Sequence, residues 1–221
     1  MDHGRSTPDL IIFDCDGVLV DSELLSCRCL SEVLAEFGFA LSEAQALELF
    51  LGRSTKAVEQ HYRDLGQIVP DGFLPRLKWR VLEAFADSLE PIPGVGAVVS
   101  ELTVPFCLAS SSDLDRVSLS LDVTGLRAHF GDRLYTAQMV EHGKPAPDLF
   151  LHAAVQMGAS PARTLVIEDS VSGVQAGKAA GMTVWGFVGG GHYGGRDGQA
   201  ILSAAGADRV FGRMSDFWKG M

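Results

Sequence analysis

The sequence predicts an α/β fold built on a doubly wound parallel sheet, with an all-helical insertion. Three observations carry this expectation. Short, continuous apolar runs end abruptly in polar residues, as strands buried on both faces do. The stretches between most of these runs have the spacing of amphipathic helices. One long stretch, residues 21–90, carries helical patterning and no convincing strand.

The elements follow in order. LIIFD ends at Asp14, FCLAS at Ser110, and TLVIED at Glu168 and Asp169, while TVWGFV runs into a glycine cluster at Gly189. A further short strand is expected near residues 209–211. In open parallel sheets ligands bind beyond the carboxyl ends of the strands. Asp14, Ser110 and the Glu168–Asp169 pair are therefore expected at one crevice. Within the insertion, Leu25, Leu30, Val33, Leu34 and Phe37 form one apolar stripe, and Gly38 is a natural helix stop. Ser42 followed by Gln45 reads as a capping box that opens the next helix. Another helix is expected over about residues 73–89, and PIPGV, residues 91–95, marks the return to the sheet. The domain reading is a core of residues 1–20 and 91–221 and a helical cap of residues 21–90. The cap begins just after the densest acidic motif, so it is placed as a lid.

The 221 residues suffice for one large domain with such an insertion, and 47% hydrophobic against 21% charged residues is a globular balance. The net charge of -10 argues against nucleic acid, whose backbone needs a basic face. No apolar run approaches the ~20 residues of a membrane helix, and the N-terminus has no signal-type stretch. Cys15, Cys27, Cys29 and Cys107 show no zinc-ligand spacing. They are read as reduced thiols of a cytoplasmic protein, acting as a monomer or weak homodimer.

FDCDGVLVDSE places Asp14 and Asp16 two residues apart at a strand end, followed by Gly17. Asp and Gly are also ordinary turn residues. A turn does not account for the second acidic pair, Glu168–Asp169, at the end of another core strand. Four carboxylates gathered at one edge repel each other unless a cation joins them. Oxygen ligands with room for water select Mg2+. Lys144, stiffened by Pro145 and Pro147 in GKPAPD, offers a fixed positive charge. Four carboxylates and one lysine leave three negative charges, and a divalent cation leaves one. A proton on Asp16, kept for use as a general acid, would make the site neutral and open to a phosphate. Ser110 and Ser111, with backbone amides at a helix start, could then hold phosphoryl oxygens; the same serines also suit helix capping.

FDCDGVLVDSE, LASSS, GKPAPD and VIEDSVSGVQAGKAAGM, in this order, resemble the four signature motifs of the haloacid dehalogenase superfamily. The resemblance implies a Rossmann-like core with a cap inserted after the first motif. It implies Asp14 as nucleophile and Asp16 as general acid/base. Ser110 would bind phosphate, and Lys144 would be the third-motif lysine. Asp14, Asp16 (through its backbone carbonyl), Glu168 (directly or through water) and Asp169 would hold Mg2+. The implied activity is a phosphatase acting on a small phosphorylated metabolite through an aspartyl-phosphate. The carboxylate at Asp16 favours phosphoryl transfer over dehalogenation, because a leaving alkoxide needs a proton.

Within the superfamily the first motif and the following EFG are most similar to the 6-phosphogluconate phosphatase branch. A β-phosphoglucomutase-like activity is the alternative. There Ser26 stands where mutases of this type carry a cap histidine, and the order Gly52, Arg53, Ser54 departs from their pattern. Arg53 and Lys78 are the substrate candidates of the cap. The GGGHYG stretch, residues 189–194, formally matches a dinucleotide fingerprint, but no acidic residue ends the next strand. It reads as a glycine loop beside the site, with His192 facing solvent. His142, close to Lys144 in sequence, reads as a loop histidine with no role.

Overall fold

The computed structural model describes residues 7–50 and 55–220. Six parallel strands form one sheet. They are β1 (Leu10–Phe13), β2 (Phe106–Ser110), β3 (Leu134–Thr136), β4 (Thr164–Glu168), β5 (Thr183–Phe187) and β6 (Arg209–Phe211), ordered β3-β2-β1-β4-β5-β6. β1 lies in the middle, pairing Phe13 with Leu108 of β2 and with Ile167 of β4.

The alternation of each strand assigns its side chains to two cores. Ile11, Phe13, Leu108, Leu165, Ile167 and Phe187 face one side, and Leu10, Ile12, Cys107, Ala109, Val166 and Val184 the other. Both faces are covered, so the strands needed continuous apolar runs. The first face is covered by α5 (Val95–Glu101), α6 (Leu114–Val123), α7 (Arg127–Phe130) and a C-terminal 3₁₀ segment, Met214–Gly220, and the same apolar cluster continues through α6 into α1 (Glu23–Glu36), α2 (Glu43–Phe50), α3 (Thr55–Asp64) and α4 (Phe73–Ser88), which pack mainly on one another. The second face carries α8 (Asp148–Gln156), α9 (Val171–Ala179) and α10 (Gly198–Ala204). Phe13 stands at the centre of the first core. It stacks on Phe217 at 6.2 Å and meets Phe106 and Phe130 edge-on at 6.2 and 6.3 Å. Truncating a fully buried Phe of this kind to Ala costs about 3–5 kcal/mol.

The chain leaves the sheet after β1 and returns before α5 at neighbouring points. Val20 pairs with Pro91 in an antiparallel bridge, the Asp21 N–H donates to Glu90 O at 2.9 Å, and the Ile92 N–H donates to Leu19 O at 2.9 Å. Between these points lie α1–α4 and no strand among the described residues. α1 packs on α2 and α4, burying Leu30, Val33 and Leu34; Gly38, at φ 84°, follows its end. The capping box forms: the Ser42 N–H donates to Gln45 Oε1 at 2.9 Å, and the Gln45 N–H donates back to Ser42 Oγ at 3.3 Å.

The sequence reading missed β3. It is a three-residue edge strand directly after Arg133, too short and too interrupted to show as an apolar run. All four cysteines are free and buried. Among the described residues no helix is long and apolar enough to cross a membrane.

Candidate active site

The carboxyl ends of β1, β2 and β4 bring Asp14, Ser110 and Glu168–Asp169 together at one edge. The register enforces this, because Phe13 pairs with both Leu108 and Ile167. Oxygens of Asp14, Glu168 and Asp169 lie within 4.8 Å of one another, all from buried side chains.

Lys144 enters this cluster from the loop before α8. Its Nζ donates to Asp14 Oδ1 at 2.6 Å, Glu168 Oε1 at 2.6 Å and the Ala109 carbonyl at 3.1 Å. An ammonium has three N–H groups, and all three are used. The side chain is 3% exposed and its amine lies 4.8 Å from the centre of the Phe150 ring. The fixed position expected from the flanking prolines is therefore held by three acceptors.

Glu168 is anchored on its other oxygen. Oε2 accepts from the Ser170 N–H and from Ser170 Oγ, both at 2.9 Å, and Ser170 Oγ in turn accepts from the Gly173 N–H to cap α9. A Cβ at position 173 would lie 1.8 Å from Glu168 Oε1, which explains the glycine there. Gly17 is needed for a similar reason. Its φ is +76°, and a Cβ would fall 1.8 Å from Asp169 Oδ2.

Burial pushes the Asp14 carboxyl well up; the Lys144 charge opposes this, and the neighbouring Glu168, Asp169 and Asp16 add to it. Burial also pushes Asp169 well up, reinforced by Glu168 and Glu23. Two buried carboxyls driven toward their neutral forms mark a cluster short of positive charge. Its donors are oxygens only, and oxygen donors fit a hard divalent cation.

The Asp16 carboxylate does not join the Asp14–Glu168–Asp169 group. It accepts from Ser22 Oγ at 2.6 Å, Ser112 Oγ at 2.7 Å and an Arg116 guanidinium nitrogen at 2.6 Å. Burial pushes its acidity down, but the Arg116 charge and the two hydroxyls outweigh it and hold the carboxyl below its usual range. The expected proton on Asp16 is thus replaced in this arrangement by Arg116. That residue also donates to Ser26 Oγ at 3.0 Å and lies 4.7 Å over the Phe85 ring of α4.

Ser110 is buried, and its Oγ accepts from the Ser112 N–H at 3.0 Å; Ser111 is exposed beside it. The cap of α6 is Asp113, one residue beyond the serines, accepting from the Arg116 N–H at 2.9 Å. Capping therefore leaves the serine hydroxyls to other partners. Lys78 is not brought to the cluster. Its half-exposed amine joins α4 to α6, at 2.8 Å from Asp115 and 3.0 Å from Asp113. Arg53 lies outside the described residues. His142 is exposed, with Nδ1 3.1 Å from Asp148.

The solvent-facing reading of His192 is corrected. The residue is 3% exposed, and Nε2 lies 3.2 Å from Asp169 Oδ2. Glycines on either side let the loop turn inward: a Cβ at Gly17 or Gly190 would come within 3.0 Å of the His192 ring. Burial pushes this imidazole toward its neutral form. The residues that sequence reasoning missed are Arg116, Ser22, His192 and Tyr193. One signal was available for Arg116. A cation in the first turn of α6 opposes the helix dipole and needs a local partner.

Residues 11–187 match the sequence profile of the family described as "Haloacid dehalogenase-like hydrolase". A 6-phosphogluconate phosphatase of Escherichia coli (strain K12) is 30% identical over 184 residues, covering 81% of this chain and 82% of that protein. A fructose-1-phosphate phosphatase of the same organism is 34% identical over 175 residues, covering 78% and 92%. A crystal structure of a family hydrolase from Deinococcus radiodurans R1, with bound phosphate and sodium, superimposes with a TM-score of 0.77 at 37% identity, covering 96% of this chain and 94% of that one. The sheet is thus the Rossmann-like sheet of that fold, and the chain belongs to the haloacid dehalogenase-like hydrolases.

Proposed function

We propose that the chain is a Mg2+-dependent phosphatase that hydrolyses a small sugar, sugar-acid or polyol phosphate through an aspartyl-phosphate on Asp14. The observation that carries this reading is the Asp14–Lys144–Glu168 arrangement, with both ion pairs at 2.6 Å, beside Asp169. The phosphatase names of the relatives agree with it.

Lys144 holds the Asp14 carboxylate in one orientation and lends charge to the phosphoryl oxygens. Ser110, the last residue of β2, and Ser111 after it are where those oxygens would be bound. Asp14 attacks phosphorus, the bond to the leaving oxygen breaks, and Asp16 supplies its proton. Asp16 must exchange Arg116 for a proton before that step. Its present ionised form is the one that accepts a proton from water when the acyl phosphate is hydrolysed. Asp14, Glu168, Asp169 and the Asp16 carbonyl would hold Mg2+, which supplies positive charge to an otherwise acidic site.

Residues 21–90 form the cap and residues 1–20 and 91–221 the core. The cap, with Arg53 and Lys78, selects the substrate; Lys78 first has to leave Asp113 and Asp115. Ser26 supports hydrolysis over sugar phosphomutation, because its hydroxyl accepts from Arg116 and offers no base for a second transfer. Four buried thiols agree with a reducing, cytoplasmic setting. The test is a screen of sugar, sugar-acid and polyol phosphates for release of inorganic phosphate, with Mg2+ and then with excess chelator. Release that persists in chelator, or substrate interconversion without release, would defeat the reading.

A further inference from the structure

The glycine-rich segment after β5 has no role in the chemistry above, yet it is tied to the site at three points. The Gly191 N–H donates to Asp21 Oδ1 at 3.0 Å, where the chain leaves the sheet for α1. The Tyr193 hydroxyl donates to the Asp169 backbone carbonyl at 2.5 Å. Between them, the His192 ring lies with Nε2 3.2 Å from Asp169 Oδ2, its side chain fully buried.

Neither nitrogen of this ring has an aligned hydrogen-bond partner among the described residues. Leaving a buried polar group unmatched costs about 1–3 kcal/mol, and a phenyl ring would fill the same space without that penalty. The ring also lies close to Gly17: a Cβ added there would come 3.0 Å from the ring and 1.8 Å from Asp169 Oδ2. Gly17 and a buried imidazole thus converge on one carboxylate oxygen, Asp169 Oδ2.

We infer that His192 is a positioning residue: its Nε2–H fixes the Asp169 carboxylate in the orientation that binds the divalent cation. The inference rests on the metal reading of the site given above. The tautomer with its proton on Nε2 presents a donor to Oδ2, and a small rotation of the carboxylate completes the bond. Oδ1 would then be left free to bind the ion. Outer partners of this kind typically change metal affinity by about 10–100-fold.

Mn2+ binding, followed by the loss of the free-ion paramagnetic resonance signal, reads the effect without turnover. In His192→Gln the amide nitrogen reaches the place of Nε2, and in His192→Asn it reaches only the place of Nδ1. His192→Phe keeps the packing alone. The expected result is a Kd within about threefold of the parent for Gln, and about tenfold or more weaker for Asn and Phe. The half-saturating Mg2+ concentration for phosphate release should move in parallel while KM for the substrate stays put. The Gln and Asn variants are both polar and compact, so their contrast decides the matter even where Phe fails to fold. Equal Mn2+ affinity in Gln and Asn, or parent-like affinity in a folded Phe variant, overturns the role of His192 alone. A parent protein that binds no Mn2+ overturns the metal reading together with it.

Discussion

Arg116 and Asp16 meet at 2.6 Å, and the same guanidinium touches Ser26 of α1 and the Phe85 ring of α4. One side chain of the core helix α6 therefore ties an acidic motif residue to two helices of the 21–90 segment. Arg116→Ala leaves Asp16 buried with two hydroxyl donors only. Removing one partner of a buried pair is destabilising by about 3–5 kcal/mol, and the partial exposure of this one, 21% and 13%, puts the expectation at the low end. Turnover should fall at least about tenfold, because the carboxylate is no longer held. Urea unfolding and steady-state kinetics measure both, and an Arg116→Ala variant with parental stability and rate would show that the pair does neither.

Asp14→Asn should release no phosphate from any substrate, since an amide cannot form the proposed aspartyl-phosphate. The variant should melt at or above the parental temperature. Burial and three nearby carboxyls already push the Asp14 carboxyl toward its neutral form, so a neutral isostere relieves repulsion. Phosphate release with a thermal melt on the same preparation separates loss of chemistry from loss of fold.

Excess chelator should stop phosphate release, and added Mg2+ should restore it. Ligand that binds only the folded state at 100 times its Kd stabilises by about 2.7 kcal/mol. The melting temperature should therefore rise with Mg2+ in the parent and much less in Asp169→Asn. Identical Mg2+-dependent shifts in the two proteins would separate Asp169 from the ion.

Gly17→Ala should lower stability by about 1–3 kcal/mol and impair turnover. The residue sits at φ +76°, and its new methyl would lie 1.8 Å from Asp169 Oδ2, so backbone strain and overpacking act together. Gly38→Ala offers the control. It also has positive φ, at 84°, but no atom lies within 4 Å of its added methyl, so it should lose stability without loss of kcat.

The native cysteines should resist alkylation at pH 8. Burial pushes the Cys27 and Cys107 thiols up to about 12. Only about one molecule in ten thousand then carries a thiolate at pH 8, and the thiolate is the reactive form. Intact-mass measurement with iodoacetamide should show slow labelling in buffer and four adducts in denaturant.

The strand ends were legible because a parallel sheet covered on both faces leaves continuous apolar runs, and β1, β2 and β4 each stop at a chemically loaded residue. The helical nature of residues 21–90 was legible from the stripe Leu25–Phe37 and the Ser42–Gln45 box. β3 was not, because three residues at a sheet edge carry too little periodicity. Arg116 was hidden for another reason. Its partner Asp16 is 100 positions away, and only the meeting of α6 with the β1 loop makes the pair. His192 misled because a glycine-rich stretch reads as exposed. The glycines instead clear room for the ring to sink beneath Asp169.

The bridge between Val20 and Pro91 makes the excursion from 21 to 90 a closed detour. From the viewpoint of the sheet its two ends occupy one address. A shorter or longer run of helices could depart from and rejoin the same address without moving β1 or α5. Molecular change can thus rewrite the helices of that detour while the carboxyl edge of β1 stays as it is.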